Sequence, residues 1–438
     1  MPSVEIIDST YVSVPETATP PLEPIKLTAL EVRWVAFPAL LNVLLYDGDD
    51  MPPFDAILQS LTSSLAATLG SFVPLAGKLV YLEETGDVAI SCSATDGVKF
   101  VVAESDANIG RLAGDEDHDL RVLERLVPDV DMGELPAPVL AVQATRFQGG
   151  VAVGLTLHHA VADGRSLWTF VEAWAATCRG ETPATAPCFD RSLVKLPGGQ
   201  ELARSVLRKF VPDLPLAAPP PSVVDESTRR TFTLDARQIE RVKERIVHLG
   251  EANGAPLPRP PSTFATVAAL AWTCFVRCKP FAPDDEVLLL FIADVRDRLD
   301  PPVKAGYIGA CLRGCLARLP ARELRGERAL AAAATAVRDE VRKMREAPVA
   351  TWDFLTSELT GYPWDHMMNV SGSPRFRAYE EADFGWGKPR RTEHINMDHD
   401  GQIALMGARD GRGVQVSVSL LNPAEMDLFK SHFLELLG

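Results

Sequence analysis

The stretch Gly150–Phe170, GVAVGLTLHHAVADGRSLWTF, decides how this chain is read. Its first eight residues, apolar but for Thr156, read as a buried strand, and Leu167, Phe170, Val171 and Trp174 recur at the spacing of a helix packed on one face. Between them stand two adjacent histidines and an Asp-Gly, so a strand feeds a tight corner and then a helix. Consecutive residues on a strand point to opposite faces, so at most one of His158 and His159 can look into a given cleft.

Outward from this corner the same two periodicities continue. Ile57, Leu58, Leu61, Leu65 and Leu69 predict a helix that ends at Gly70, and Val414, Val416, Val418 and Leu420 share one face of a strand. Asn422-Pro423 then caps a final helix. Helices and strands in irregular order favour mixed-sheet α/β layers over a strict βαβ repeat. At 438 residues the chain is long enough for two domains. The Pro-, Ala- and Gly-rich stretch 183–224, with Pro219 to Pro221 near its end, reads as the linker between 1–182 and 225–438.

Composition narrows the partners. A net charge of −15 with no segregated basic face argues against nucleic acid and anionic membrane as partners. No apolar run approaches a membrane span, and the first twenty residues lack the pattern of a secretory signal, so the cytosol is the expected address. Seven cysteines without a CxxC pair suit that compartment. Cys274 and Cys278, four apart inside an apolar run, read as buried thiols before they read as metal ligands.

Several chemistries fall by inspection. The chain has no GxSxG, no GxGxxG and no phosphate loop, and the DFG at Asp383 to Gly385 has none of a kinase's other parts. An imidazole accepts a proton near neutral pH without being perturbed, so a histidine at the corner suits a general base. With no serine or cysteine nucleophile evident beside it, it would act on a substrate's own hydroxyl or amine. Two other readings fit the spacing alone: a structural His and Asp satisfied within the core, or a zinc pair, which the strand character before the histidines disfavours.

A second motif adds what spacing cannot. HHAVADG, with DFGWGKP from Asp383 to Pro389, resembles the plant BAHD acyl-CoA-dependent acyltransferases. The resemblance extends through SFVPLAGKL, FDRSLVKLPG, STFATVAALAW, DVRDRLDPP and NVSGSPRFRAYE. These are similar to the subgroup that malonylates anthocyanins and other phenolic glucosides, whose YFGNC is here YIGAC, Tyr307 to Cys311.

The resemblance implies two similarly sized chloramphenicol-acetyltransferase-like domains joined by a crossover, with the active site in a channel between them. It implies that His159 is the general base and that Asp163, followed by Gly164, turns away to an arginine, Arg296 first and Arg298 second. Asp383, Gly385, Trp386 and Gly387 would be architectural, near the coenzyme region. Oxyanion or acyl contacts would come from Ser371 or Ser373, with a turn role as the alternative. A malonyl carboxylate would need Arg165, Arg375 or Arg377, unless these are solvated surface arginines. The implied co-substrate is acyl-CoA, malonyl-CoA before others, with a phenolic acceptor, no permanently bound cofactor, no metal and a monomeric state. A hydroxycinnamoyl or acetyl donor with an alcohol or amine acceptor stays open, as does a non-catalytic member that binds metabolites or a protein.

Overall fold

A computed structural model describes residues 3–48, 51–115, 118–132, 134–210, 227–252, 259–349, 363–397 and 399–438. It is a mixed α/β structure with two six-stranded mixed sheets and a smaller four-stranded one. In spatial order the first sheet runs Val4–Ser13, Gly97–Ser105, Leu140–Phe147, Gly150–Leu157, Leu40–Asp47 and Arg391–His394. The second runs Thr228–Leu234, Val414–Leu420, Gln402–Gly407, Met367–Gly372, Glu286–Asp294 and Leu312–Pro320. Each mixes parallel and antiparallel pairs. Among the described residues no helix is long and apolar enough to cross a membrane.

Periodicity explains the packing. The helix Phe54–Leu69 buries Ile57, Leu61, Leu65 and Leu69, and the helix Gly164–Cys178 buries Leu167, Phe170, Val171 and Trp174. Both cover one face of the first sheet, where they share a core with Leu44, Val153 and Leu155. The Trp174 indole donates to Leu61 O at 3.2 Å and to Ser64 Oγ at 3.0 Å, so its one polar atom is met inside that core. Around the second sheet a separate core gathers Trp272, Phe275, Val416, Val418, Phe429 and Phe433.

Two features cross between the sheets, and a third fills part of the stretch between them. The strand Arg391–His394 is laid down late in the chain yet pairs with Leu40–Asp47 at the edge of the first sheet. The segment Tyr307–Cys311 places Ile308 and Ala310 in the first core and Tyr307 and Cys311 in the second. Within the proline-rich stretch, residues Gly199–Phe210 form a helix whose Ala203, Val206 and Leu207 join the first core. Residues 211–224 of that stretch, Pro219 to Pro221 included, lie outside the described residues.

Candidate active site

The strand Gly150–Leu157 ends on the two histidines, and the turn after it treats them differently. The His158 N–H donates to Val139 O at 2.8 Å and its carbonyl accepts from Val161 N at 2.9 Å. Its ring, 2% exposed, takes the Ala160 N–H on Nδ1 at 3.3 Å, and burial pushes its pKa down to about 4. That ring is part of the turn.

His159 is only half-buried and lies flat on the indole of Trp34, with ring centroids 4.3 Å apart and planes 14° from parallel. Its Nδ1 is buried with no hydrogen-bond partner among the described residues. Packing therefore orients this imidazole, and among the described residues no carboxylate is bonded to it. Burial lowers its pKa, against the opposing pull of the Asp163 charge and nearby backbone, so the ring is neutral at physiological pH.

Asp163 is 1% exposed and points elsewhere. As N-cap of the helix Gly164–Cys178 it accepts the Ser166 N–H on Oδ1 at 3.0 Å. Arg296 grips both oxygens, Nη1 to Oδ2 at 2.6 Å and Nη2 to Oδ1 at 3.0 Å, and the Cys311 N–H reaches Oδ2 at 3.1 Å. Four donors saturate the carboxylate, leaving none of its capacity for an imidazole. Burial alone would raise its pKa, but the Arg296 charge and these hydrogen bonds overcome that and lower it. Arg296, 1% exposed, also donates to Gly309 O at 2.7 Å and Ser166 Oγ at 3.0 Å, and its guanidinium stands 5.7 Å over the Tyr307 ring. Arg298, the second candidate, donates instead to Asp294 O at 3.1 Å.

Two glycines let this corner close. A Cβ on Gly164 would come within 2.9 Å of the Phe376 ring, and one on Gly309 within 2.5 Å of Glu31 Oε1. The contacts also say what the YIGAC segment does. Tyr307 supplies a ring, Gly309 a carbonyl and Cys311 an amide to the ion pair, while Ile308 and Ala310 turn their side chains into the first core. The two positions at which YIGAC differs from YFGNC therefore do not touch the ion pair with their side chains.

The DFGWG segment does not meet the histidines. It packs at the far end of the helix Gly164–Cys178, where Arg179 donates to the Asp383 carbonyl. The Asp383 carboxylate accepts the N–H groups of Gly385 at 2.9 Å and Gly387 at 3.0 Å, folding the loop back on itself. Phe384 stacks on Trp386, and both rings meet Tyr46 edge-on. Ser371, Ser373, Arg375 and Arg377 lie on the segment that carries Phe376 past Gly164. The Ser371 hydroxyl donates to Ile403 O at 3.3 Å, and Ser373 Oγ accepts the Arg375 N–H at 3.2 Å. Arg375 and Arg377 are exposed. Arg165 is exposed as well, but Asp294 at 3.2 Å and Asp297 at 3.9 Å already face it.

Nothing in the sequence singled out Trp34, or the buried pair Glu31–Arg191 at 2.9 Å that flanks Tyr307. One aromatic and two charges scattered over 160 positions make no local pattern, and the fold alone assembles them. The corner's hydroxyl and thiol are both committed. Ser166 Oγ donates to Gly309 O at 2.9 Å, and burial pushes the Cys311 thiol up, so it stays protonated. A neutral imidazole on a fixed indole, beside no activated enzyme nucleophile, can take a proton from a bound hydroxyl.

Known proteins resemble this chain over nearly its whole length. The Transferase family matches residues 3–436. Phenolic glucoside malonyltransferase 2 of Arabidopsis thaliana is 31% identical over 94% of this chain and 94% of its own length. Agmatine coumaroyltransferase of the same plant is 28% identical over the full length of both. The crystal structure of vinorine synthase aligns with a TM-score of 0.72 at 21% identity, covering 99% of this chain and 98% of that one.

Proposed function

The chain belongs to the BAHD family of acyl-CoA-dependent transferases, and on that premise we propose that it moves a malonyl group from malonyl-CoA to a hydroxyl of a phenolic or flavonoid glucoside, with His159 as the general base. The observation that carries the chemistry is the division of labour at the corner: His159 is neutral, half-buried and held by Trp34, while every lone pair of Asp163 is spent on Arg296 and backbone. His159 takes the acceptor's hydroxyl proton as the oxygen attacks the thioester carbonyl. The tetrahedral adduct then expels the coenzyme A sulfur, which receives that proton, leaving ester and free thiol. No covalent enzyme intermediate is required.

The malonyl donor rests on the relative named for it and on a cation for its free carboxylate. Arg375 is the first candidate, because it is exposed on the segment beside Gly164 and Arg165 already faces two carboxylates. Arg377 is the second. The full-length match to a coumaroyl-transferring relative supports a second reading, an aromatic acyl donor with an amine acceptor. The proposed setting is a monomer in the cytosol.

The test is a matrix of malonyl-, acetyl- and coumaroyl-CoA against phenolic glucosides, their aglycones and agmatine, read by product mass. A malonyl gain on the glucosides alone is expected, and a coumaroyl amide would carry the second reading instead. His159→Ala should cut turnover about 10²–10⁴-fold, with coenzyme A binding retained. Full activity in that variant would remove the base from the mechanism.

A further inference from the structure

A row of polar side chains lies beside His159 at the edge of the first sheet, and neither the fold nor the chemistry above uses it. The strand Leu40–Asp47 reads LLNVLLYD, and its single amide, Asn42, is buried among aliphatics. Register pairs Asn42 with Leu155 on one side and His394 on the other. Residues paired in antiparallel strands share a face, and this is the face that carries Leu155 and Leu157 into the first core, two residues before His159.

His394 is half-buried and within electrostatic reach of His159. Two residues further on, Asn396 Nδ2 donates to Ala39 O at 2.7 Å, which pins the amide and leaves its Oδ1 buried without a partner among the described residues. The side chains of Asn42 and His394 likewise have no hydrogen-bond partner among those residues. Buried polar atoms are nearly always satisfied, so the unmet Asn396 Oδ1, with the uncommitted amide of Asn42 and imidazole of His394 on the neighbouring strand positions, calls for a ligand that satisfies them. Burial first, then Arg229 and His159, hold the His394 pKa down to about 4, so its neutral ring can donate from one nitrogen and accept at the other.

We propose that Asn42, His394 and Asn396 form a hydroxyl-reading subsite beside His159, which selects acceptors that carry several neighbouring hydroxyls, as a glycosyl group does, over alcohols with one. The proposal rests on His159 being the base, because a subsite beside it would hold the hydroxyls adjacent to the one that reacts. These residues position substrate and do not transfer the proton, so their loss should appear in KM and not in kcat.

The test compares phenyl β-D-glucoside with 2-phenoxyethanol as acceptors, malonyl-CoA being the donor. His394→Leu and, separately, Asn396→Ala should raise the glucoside KM about three- to tenfold, the range for one lost neutral hydrogen bond, with kcat little changed. The 2-phenoxyethanol parameters should not move, and circular dichroism should show both variants folded. An unchanged glucoside KM in both variants, or equal losses on both acceptors, overturns the subsite. So does a wild-type protein with no preference for the glucoside. His159→Ala run in parallel separates the two readings: full turnover there removes the base, while the acceptor ratios still decide the subsite.

Discussion

The helix Gly164–Cys178 has an aspartate-built turn at each end, roughly 20 Å apart at 1.5 Å per residue, and the two are built on opposite principles. At its start Asp163 is sealed from solvent and neutralised by Arg296, a residue from beyond the second sheet's strand Glu286–Asp294. At its end Asp383 is half-exposed and spends its carboxylate on the N–H groups of its own loop. The first aspartate ties together distant parts of the chain and fixes the turn that carries His159. The second fixes only a local shape, which stacked rings then press against the sheet. A buried ion pair is costly to break from one side because the partner is stranded, whereas a solvated carboxylate can be removed with water taking its place.

That contrast predicts its largest consequence at Asp163. Asp163→Ala leaves the buried Arg296 charge with only the part-exposed Asp294 carboxylate, 3.2 Å from Nη1, to face it, which should cost about 3 kcal/mol, the low end of the range for a broken buried pair, and take turnover with it as the His159 turn loosens. Asp163→Ala combined with Arg296→Met removes both charges and should regain part of that stability, a coupling that thermal melts of the four proteins in the cycle measure directly. If the aspartate instead served the imidazole as a relay, the single variant would keep its melting temperature and lose only turnover. The bond network argues otherwise, because no Asp163 lone pair is left for the ring.

A smaller effect separates the groups at this end of the helix by pH. His158 is held near 4 by burial, so the unfolded chain binds its proton more readily than the native one does. Its contribution is complete above about pH 6.5, the unfolded value, and fades as pH falls toward 4, with a slope of up to about 1.4 kcal/mol per pH unit for one group. Asp163 is also depressed, so its contribution is present above its unfolded value near 3.9 and is lost only as pH drops below that. Stability measured against pH should therefore fall in two stages. His158→Gln should remove part of the upper stage, the rest belonging to His394, which burial also holds near 4, and Asp163→Ala should remove part of the lower. A single stage common to all three proteins would break the assignment.

Much of this architecture could be read from the chain because it follows periods. The apolar spacing in Phe54–Leu69 and Gly164–Cys178, and the alternation in Val414–Leu420, correspond to elements of those types in the structure. Other parts left no such mark. The strand Arg391–His394 is four residues long and pairs with a strand some 350 positions away, a contact set by the whole topology. In Val414–Leu420 the polar face is as buried as the apolar one, since Gln415 and Ser417 meet Glu393 from the first sheet's edge strand and Ser417 meets Thr231 from the adjacent strand. Alternation marks two faces without saying what covers the second. The helix Gly199–Phe210 did have a signal in Ala203, Val206 and Leu207, but proline and glycine on both sides outweighed it. At the site, His159 and Asp163 stood in one motif, and only resemblance pointed to Arg296, 133 residues away. Trp34 and the pair Glu31–Arg191 had neither motif nor period to reveal them.

The smallest expected effect lies at the other end of the helix, and it sharpens the comparison most. Asp383→Ala removes two hydrogen bonds to backbone N–H groups that already border on solvent, so water can replace the carboxylate, and the loss should be about 1–2 kcal/mol. Gly385 and Gly387 adopt φ of +107° and +95°. Those conformations persist in the variant because Phe384 and Trp386 remain stacked on each other and edge-on to Tyr46, with Phe384 also edge-on to Trp174, and the loop should keep its shape. Turnover with saturating acyl-CoA should change little, and the melting point should fall far less than in Asp163→Ala. Gly385→Ala, which forces a side chain into a left-handed conformation, should cost as much as the aspartate change or more, although it removes no hydrogen-bonding side chain. A variant of Asp383 that melts like wild type yet loses turnover as Asp163→Ala does would show that this loop touches the reacting molecules, and the division between a sealed corner and a self-contained turn would fail.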